Sequence, residues 1–114
     1  MSVKSVENAE HYMWGNHCEG WHLLKTDSLS IIQEKMPPHT AEALHLHTHA
    51  QQFFYILKGM AVFEVEGEWV EVKEKQGFHI EPNQKHRILN NTDNDLEFLV
   101  ISEPKSHGDR FNLE

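Results

Sequence analysis

The sequence predicts an all-β fold, a sandwich or barrel of short strands. Apolar residues alternate with polar ones at a period of two rather than 3.6. Turn-forming Gly, Pro, Asn and Asp recur about every ten residues, the spacing of an all-β sandwich or barrel. No stretch sustains a capped helical period; only a short turn is expected, near Val6 to His11.

The strands follow in order. Trp21, Leu23 and Lys25 alternate. Ser28 to Met36 reads as a strand ended by Pro37-Pro38, which cannot donate to a ladder. Glu42 to Thr48 puts Ala43, His45 and His47 on one face and Leu44, Leu46 and Thr48 on the other. Gln52 to Lys58 is aromatic and β-branched and stops at Gly59. Ala61 to Val65 and Trp69 to Val72 flank Glu66-Gly67-Glu68, a hairpin signal. Gly77 to Ile80, Arg87 to Leu89 and Leu96 to Ser102 complete the strands, the last two separated by the turn-rich NNTDND. The polar tail after Pro104, KSHGDRFNLE, reads as a frayed end or a docked arm.

Composition narrows the function. A chain of 114 residues suits one domain, and 39% hydrophobic with 25% charged residues is globular, which excludes wholesale disorder. The longest apolar run, Phe53 to Leu57, falls far short of the ~18 residues of a spanning helix. The mixed-charge N-terminus lacks the apolar block of a signal peptide, so a cytoplasmic address is expected. Ten Lys and Arg against 18 Asp and Glu give −8, which argues against nucleic acid and anionic membranes as partners. The single cysteine, Cys18, excludes an intramolecular disulfide and an all-cysteine zinc site.

Histidine is the conspicuous residue: there are ten, six of them between positions 39 and 86. In a strand, His45-x-His47 sets two imidazoles on one face, about 7 Å apart. Gln52 opens the next strand, and an antiparallel hairpin would bring it opposite them. His86 follows the turn EPNQK and begins another strand. Three imidazoles and one amide oxygen form a plausible ligand set for one divalent transition metal ion: zinc, iron, nickel, copper or manganese. Imidazole binds metal only when neutral, so occupancy is expected to fall below about pH 6.5.

These residues resemble the cupin superfamily, whose two motifs are G-x5-H-x-H-x(3,4)-E-x6-G and G-x5-P-x-G-x2-H-x3-N. HLHTHAQQFFYILKG is similar to the first, with His45, His47, Gln52 and Gly59 in its slots; IEPNQKHRILN is similar to the second, with three residues between His86 and Asn90. The resemblance covers roughly 36–103 and is nearest to small single-domain cupins related to the phosphomannose-isomerase C-terminal module. It implies a double-stranded β-helix, or jelly-roll barrel, whose two sheets enclose a metal pocket, with His45, His47, Gln52 and His86 as ligands, and it implies a homodimer.

The departures are specific. Gln52 replaces the ligand Glu, Glu81 holds the proline slot with Pro82 one place later, and Asn83 holds the turn glycine slot. Lys75 takes the opening glycine slot of the second motif, and no glycine stands six residues before His45. His49 offers a rival pair, His47-x-His49, but leaves only two residues before Gln52, so it is placed at the rim. His79 is expected to point outward and His39 and His107 to be solvated. Phe54 and Ile56, on the parity of Gln52, are expected to face inward. Glu34 and Arg87 are possible supporting or substrate groups. Trp14, Cys18 and Trp21 read as packing or as a pocket roof, and Tyr12, Met13, Trp14 and Trp21 as aromatic surface for a twofold interface.

The expected function is a metal-binding cupin whose pocket binds, and in an enzyme transforms, a small anionic organic molecule such as a carboxylate or enolate. Dioxygenase, isomerase, lyase and decarboxylase chemistry all suit such a site. The rivals are a sugar or metabolite sensor without turnover and a metal-free barrel.

Overall fold

The computed structural model describes residues 3–113, which form twelve strands and no helix. In chain order these are β1 (Glu10–Trp14), β2 (Cys18–Lys25), β3 (Ser30–Met36), β4 (Thr40–Ala41), β5 (His45–His47) and β6 (Gln51–Lys58). There follow β7 (Met60–Val65), β8 (Glu68–Lys73), β9 (Gly77–Ile80), β10 (His86–Asn90), β11 (Leu96–Glu103) and β12 (Arg110–Asn112). One sheet has the order β1-β2-β3-β11-β6-β9; the other runs β12-β5-β10-β7-β8, with β4 paired to β10. Neighbours run antiparallel, and the two sheets form the jelly-roll sandwich of a double-stranded β-helix.

Period-two alternation decides what lies between the sheets. From the first sheet, Met36, Phe54, Ile56, Leu96, Phe98 and Val100 point inward; from the second come Ala61, Phe63, Val72 and Ile88. Phe63 joins the layers, with ring centroids 5.0 Å from Phe54 and 4.9 Å from Phe78. Truncating so central a ring to alanine costs about 3–5 kcal/mol in comparable cores.

Turn chemistry agrees with the residue choices. Val65 pairs with Glu68, so Glu66 and Gly67 form a two-residue turn, both with left-handed φ (49° and 83°), as a type I′ hairpin requires. Asn83 takes φ 69° in the glycine slot of the second motif, and Lys75 takes φ 64° in the other. A Cβ on Gly77 would strike the Phe53 ring, so that strand start admits only glycine without movement.

Four expectations are corrected. The N-terminal segment holds a hairpin, β1–β2, with Tyr12 opposite Gly20 and Trp14 opposite Cys18. The Ser28–Met36 strand begins at Ser30, because Thr26 and Leu29 close a turn through three hydrogen bonds. The Glu42–Thr48 strand is interrupted before His45: the Ala43 carbonyl turns to His45 Nδ1, and Glu42 turns to Ile88. Finally, β5 and β6 do not form a hairpin. They lie in different sheets, so Gln52 lines the interior cavity from the sheet opposite His45 and His47 rather than pairing along one ladder.

The tail is a docked arm. Through β12 it pairs with β5, Arg110 opposite His47 and Asn112 opposite His45; residue 114 lies outside the described residues.

A candidate metal centre beside a large cavity

Strand parity turns His45 and His47 into the sandwich from β5, and His86 lies directly opposite His45 in the β5–β10 pairing. All three are buried, with ring centroids 4.3–5.7 Å apart, and one nitrogen from each lies within 4.8 Å of the others. Such a cluster can hold a metal ion. His49 is exposed, in keeping with its rim position; His79 is exposed against Gln51, His39 is exposed beside Asp93, and His107 is exposed.

Each imidazole is held by a backbone carbonyl. His45 Nδ1 lies 2.8 Å from the Ala43 oxygen, His86 Nδ1 2.8 Å from that of Gln84, and His47 Nδ1 3.3 Å from that of Asp109. A carbonyl only accepts, so each Nδ1 carries the proton and each Nε2 keeps its lone pair. Fixing the tautomer through the distal nitrogen in this way is how metal-binding histidines are oriented. Burial draws all three imidazoles down to about 4, and the mutual field of His45, His47 and His86 adds to this for the latter two, so they are neutral at physiological pH.

Gln52 comes from the opposite sheet and is 6% exposed. Its Nε2 donates to Ser102 Oγ at 3.0 Å, leaving Oε1 buried without a partner. His86 Nε2 is likewise buried and unpartnered. Two orphaned lone pairs in one interior are costly unless something fills the gap, and the neutral nitrogen-and-oxygen donor set suits a divalent transition ion.

His45, His47 and Gln52 open into a cavity of about 1000 Å³, whose walls include Phe54, Ile32 and Val100. Phe54 faces inward as expected and lines it; Ile56 is fully buried in the core. Arg87 points away from the cavity wall, bonded to Glu64 at 2.7 Å and stacked over Trp69. Trp14 lines the cavity, whereas Cys18 is core.

Sequence reasoning found no firm interior acid; the structure supplies two. Glu34 lines the cavity and accepts the Tyr12 hydroxyl at 2.6 Å. Burial, reinforced by Glu42, pushes its carboxyl up to about 8 against the lowering effect of the Tyr12 bond. Glu42, near His45 at 3.8 Å, is also raised by burial, opposed by Arg110 at 3.3 Å. Alternation from Ser30 and Ile32 could have placed Glu34 inward. Nothing local announced Glu42.

Asp109, also unforeseen, ties the arm to the site. Its Oδ1 accepts from Thr48 N–H at 3.2 Å and the Thr48 hydroxyl at 2.7 Å, and its Oδ2 accepts from His49 and Ala50 N–H, both at 2.9 Å. Although burial pushes this carboxyl up, those bonds prevail and hold it well below the usual range. One residue therefore fixes the loop after β5 with its side chain and His47 with its carbonyl.

Comparison with known proteins agrees with this architecture. A model of the Cupin domain matches residues 32–102. The chain is 31% identical over 85 residues to an oxalate-binding protein of Thermotoga maritima, covering 70% of each. The crystal structure of a predicted oxalate decarboxylase from Thermotoga maritima aligns with 92% of this chain and 100% of its own, at 28% identity and a TM-score of 0.80. A protein with a double-stranded β-helix domain from Klebsiella pneumoniae aligns with 100% of this chain and 98% of its own, with a TM-score of 0.82; at 18% identity this likeness bears on fold alone. With the family model covering both histidine motifs and the barrel strands around them, the chain belongs to the cupin family.

Proposed function

We propose that His45, His47, His86 and Gln52 hold one divalent transition metal ion, and that the cavity beside it binds a small carboxylate. The observation that carries the reading is His86 Nε2, a buried, unpartnered acceptor in a cluster whose Nδ1 atoms are all tied to carbonyls, together with the unpartnered Gln52 Oε1, whose residue lines the cavity that His45 and His47 line. Zinc, iron, nickel and copper suit the imidazole donors, and manganese the amide oxygen. A bound ion would supply Lewis-acid polarisation of a carboxylate or carbonyl oxygen.

The charge balance selects the ligand. Three neutral imidazoles and a neutral amide leave a divalent ion its full double charge, which favours an anion in an open position. The similarity to an oxalate-binding protein supports the same class. Binding is the primary reading; turnover is the second, favoured by Glu34 as an interior acid–base group.

Elemental analysis of untagged protein purified without added metal tests the ion, with oxalate titrated into the loaded protein. One ion per chain and its loss in His86→Ala are expected; a metal content unchanged by that substitution would refute the site. We extend the proposal to a homodimer, supported by exposed Met13 on β1. A monomeric mass at micromolar concentration would exclude it.

A further inference from the structure

Tyr12, Gly20 and Glu34 form one cross-strand row on the first sheet: Tyr12 is opposite Gly20 on β2, and Gly20 is opposite Glu34 on β3. A Cβ on Gly20 would strike the Tyr12 ring. The ring therefore lies across the glycine, and its hydroxyl reaches Glu34 Oε2, two strands from its own, at 2.6 Å. Glu34 Oε1 makes no hydrogen bond among the described residues, and Glu34 lines the same cavity as His45 and His47.

The two ends of that cavity are well separated. Gln52 pairs with Ser102 and Ser102 with Ser30, four residues along β3 from Glu34. Strand spacing and rise put the Gln52 and Glu34 Cα atoms roughly 16 Å apart. A two-carbon diacid at the histidine end does not reach Glu34, whereas an extended chain of several carbons does.

We propose that Tyr12 and Glu34 form a second polar subsite, which takes the far carboxylate of an extended dicarboxylate whose near end occupies the histidine end. This rests on the metal-and-carboxylate reading above. The Tyr12 hydroxyl occupies Oε2, and a carboxyl accepts best at its carbonyl oxygen. Tyr12 thereby fixes Oε2 as the carbonyl and leaves the acid proton on Oε1, aimed at the incoming carboxylate. The upward push on Glu34 to about 8 keeps that proton in place at neutral pH. Once ionised, Glu34 would repel the same group.

The titratable and charged groups facing Glu34 are Tyr12 from β1, Cys18 from β2, Glu42 from the segment before β5 and Arg110 from β12; its β11 neighbour, Phe98, is apolar. Tyr12 and Cys18 are both pushed up. Glu42 lies beside His45, so its titration acts on any ligand at the histidine end.

The test compares adipate with oxalate in the zinc-loaded protein by calorimetry, from about pH 6.5 to 9.5. Oxalate reads only the histidine end, including any competition from hydroxide. Adipate affinity should fall more steeply than oxalate affinity above the Glu34 pKa, by an extra tenfold per pH unit, the slope of one proton. Glu34→Gln should reduce adipate to the oxalate slope. Tyr12→Phe removes a bond that lowers Glu34, so its steep region should move to higher pH. Carbon-13 titration of Glu34 in the metal-free protein should show the same upward move. Parallel pH profiles for the two diacids, unchanged by Glu34→Gln, would overturn the subsite and leave the metal reading intact. Failure of wild type to bind either diacid would overturn both.

Discussion

Gln52→Glu probes the proposed ligand set most directly. The amide is buried, its Nε2 bonded to Ser102 and its Oε1 free. A carboxylate fits the same space and can accept from the Ser102 hydroxyl. At about 4 Å from a divalent ion, each unit of charge it meets contributes on the order of 4 kcal/mol at an effective dielectric near 20. The gain is offset because a carboxyl in so buried a place, among neutral imidazoles, is raised as Glu34 is, and must give up its proton to bind. Were it raised to about 8, that would cost roughly 1.4 kcal/mol at pH 7. A divalent ion presents two such units, about 8 kcal/mol. Even after that cost the net expectation is a gain of several kcal/mol, at least a hundredfold tighter zinc binding, measured by competition with a chromophoric chelator. Oxalate should bind more weakly, because the ion then carries less net charge. Zinc affinity equal to wild type, in a variant that unfolds at the same temperature, would remove Gln52 from the ligand set.

Four further outcomes follow from the geometry. Free-histidine values place the loss of metal near pH 6.5, but burial of His45, His47 and His86 moves proton competition in the folded protein down toward pH 4. Occupancy should therefore hold steady from pH 7 to about 5 at saturating zinc. The same lowered values make the metal-free protein fully stable, in this respect, above the unfolded pKa of about 6.5, with stability lost as pH falls toward 4, on the order of 3 kcal/mol per imidazole. Urea midpoints that do not change across that window would contradict it. Asp109→Ala removes four hydrogen bonds from the loop after β5 and should cost about 2 kcal/mol, since water replaces part of them. Because the Asp109 carbonyl holds His47, zinc affinity should also drop about tenfold; unaltered affinity would separate the arm from the site. Gly20→Ala should displace the Tyr12 ring, cost about 1–3 kcal/mol and raise the Glu34 pKa, read by carbon-13 titration.

Much of this molecule was legible from local rules. Alternation put Phe54 and Ile56 inside, and His45 and His47 on one buried face, because a half-buried strand shows its period in its own residues. The left-handed turn at Gly67 was visible from its hairpin signal, and that at Asn83 from its place in the glycine slot of the second motif. What escaped depends on partners distant in sequence. The Glu10–Trp14 strand is exposed at Glu10, His11 and Met13, so it lacks the apolar alternation of a core strand. Gln52 was assigned to a hairpin with the histidines because its closeness in sequence suggested pairing, whereas the chain crosses between sheets there. Asp109 stands in a polar stretch, and only the fold brings it against Thr48, His49 and Ala50.

The docked arm has a consequence for solubility. β12 is the outermost strand of its sheet and covers β5, the strand that carries two of the three clustered histidines. If the arm lifted, β5 would present bare N–H and C=O groups beside an open cavity, a template for another chain. The displacement that releases His47 would thus expose the strand best placed to seed intermolecular pairing. Loss of metal and onset of aggregation should then share one structural origin, and conditions that keep the arm seated should suppress both.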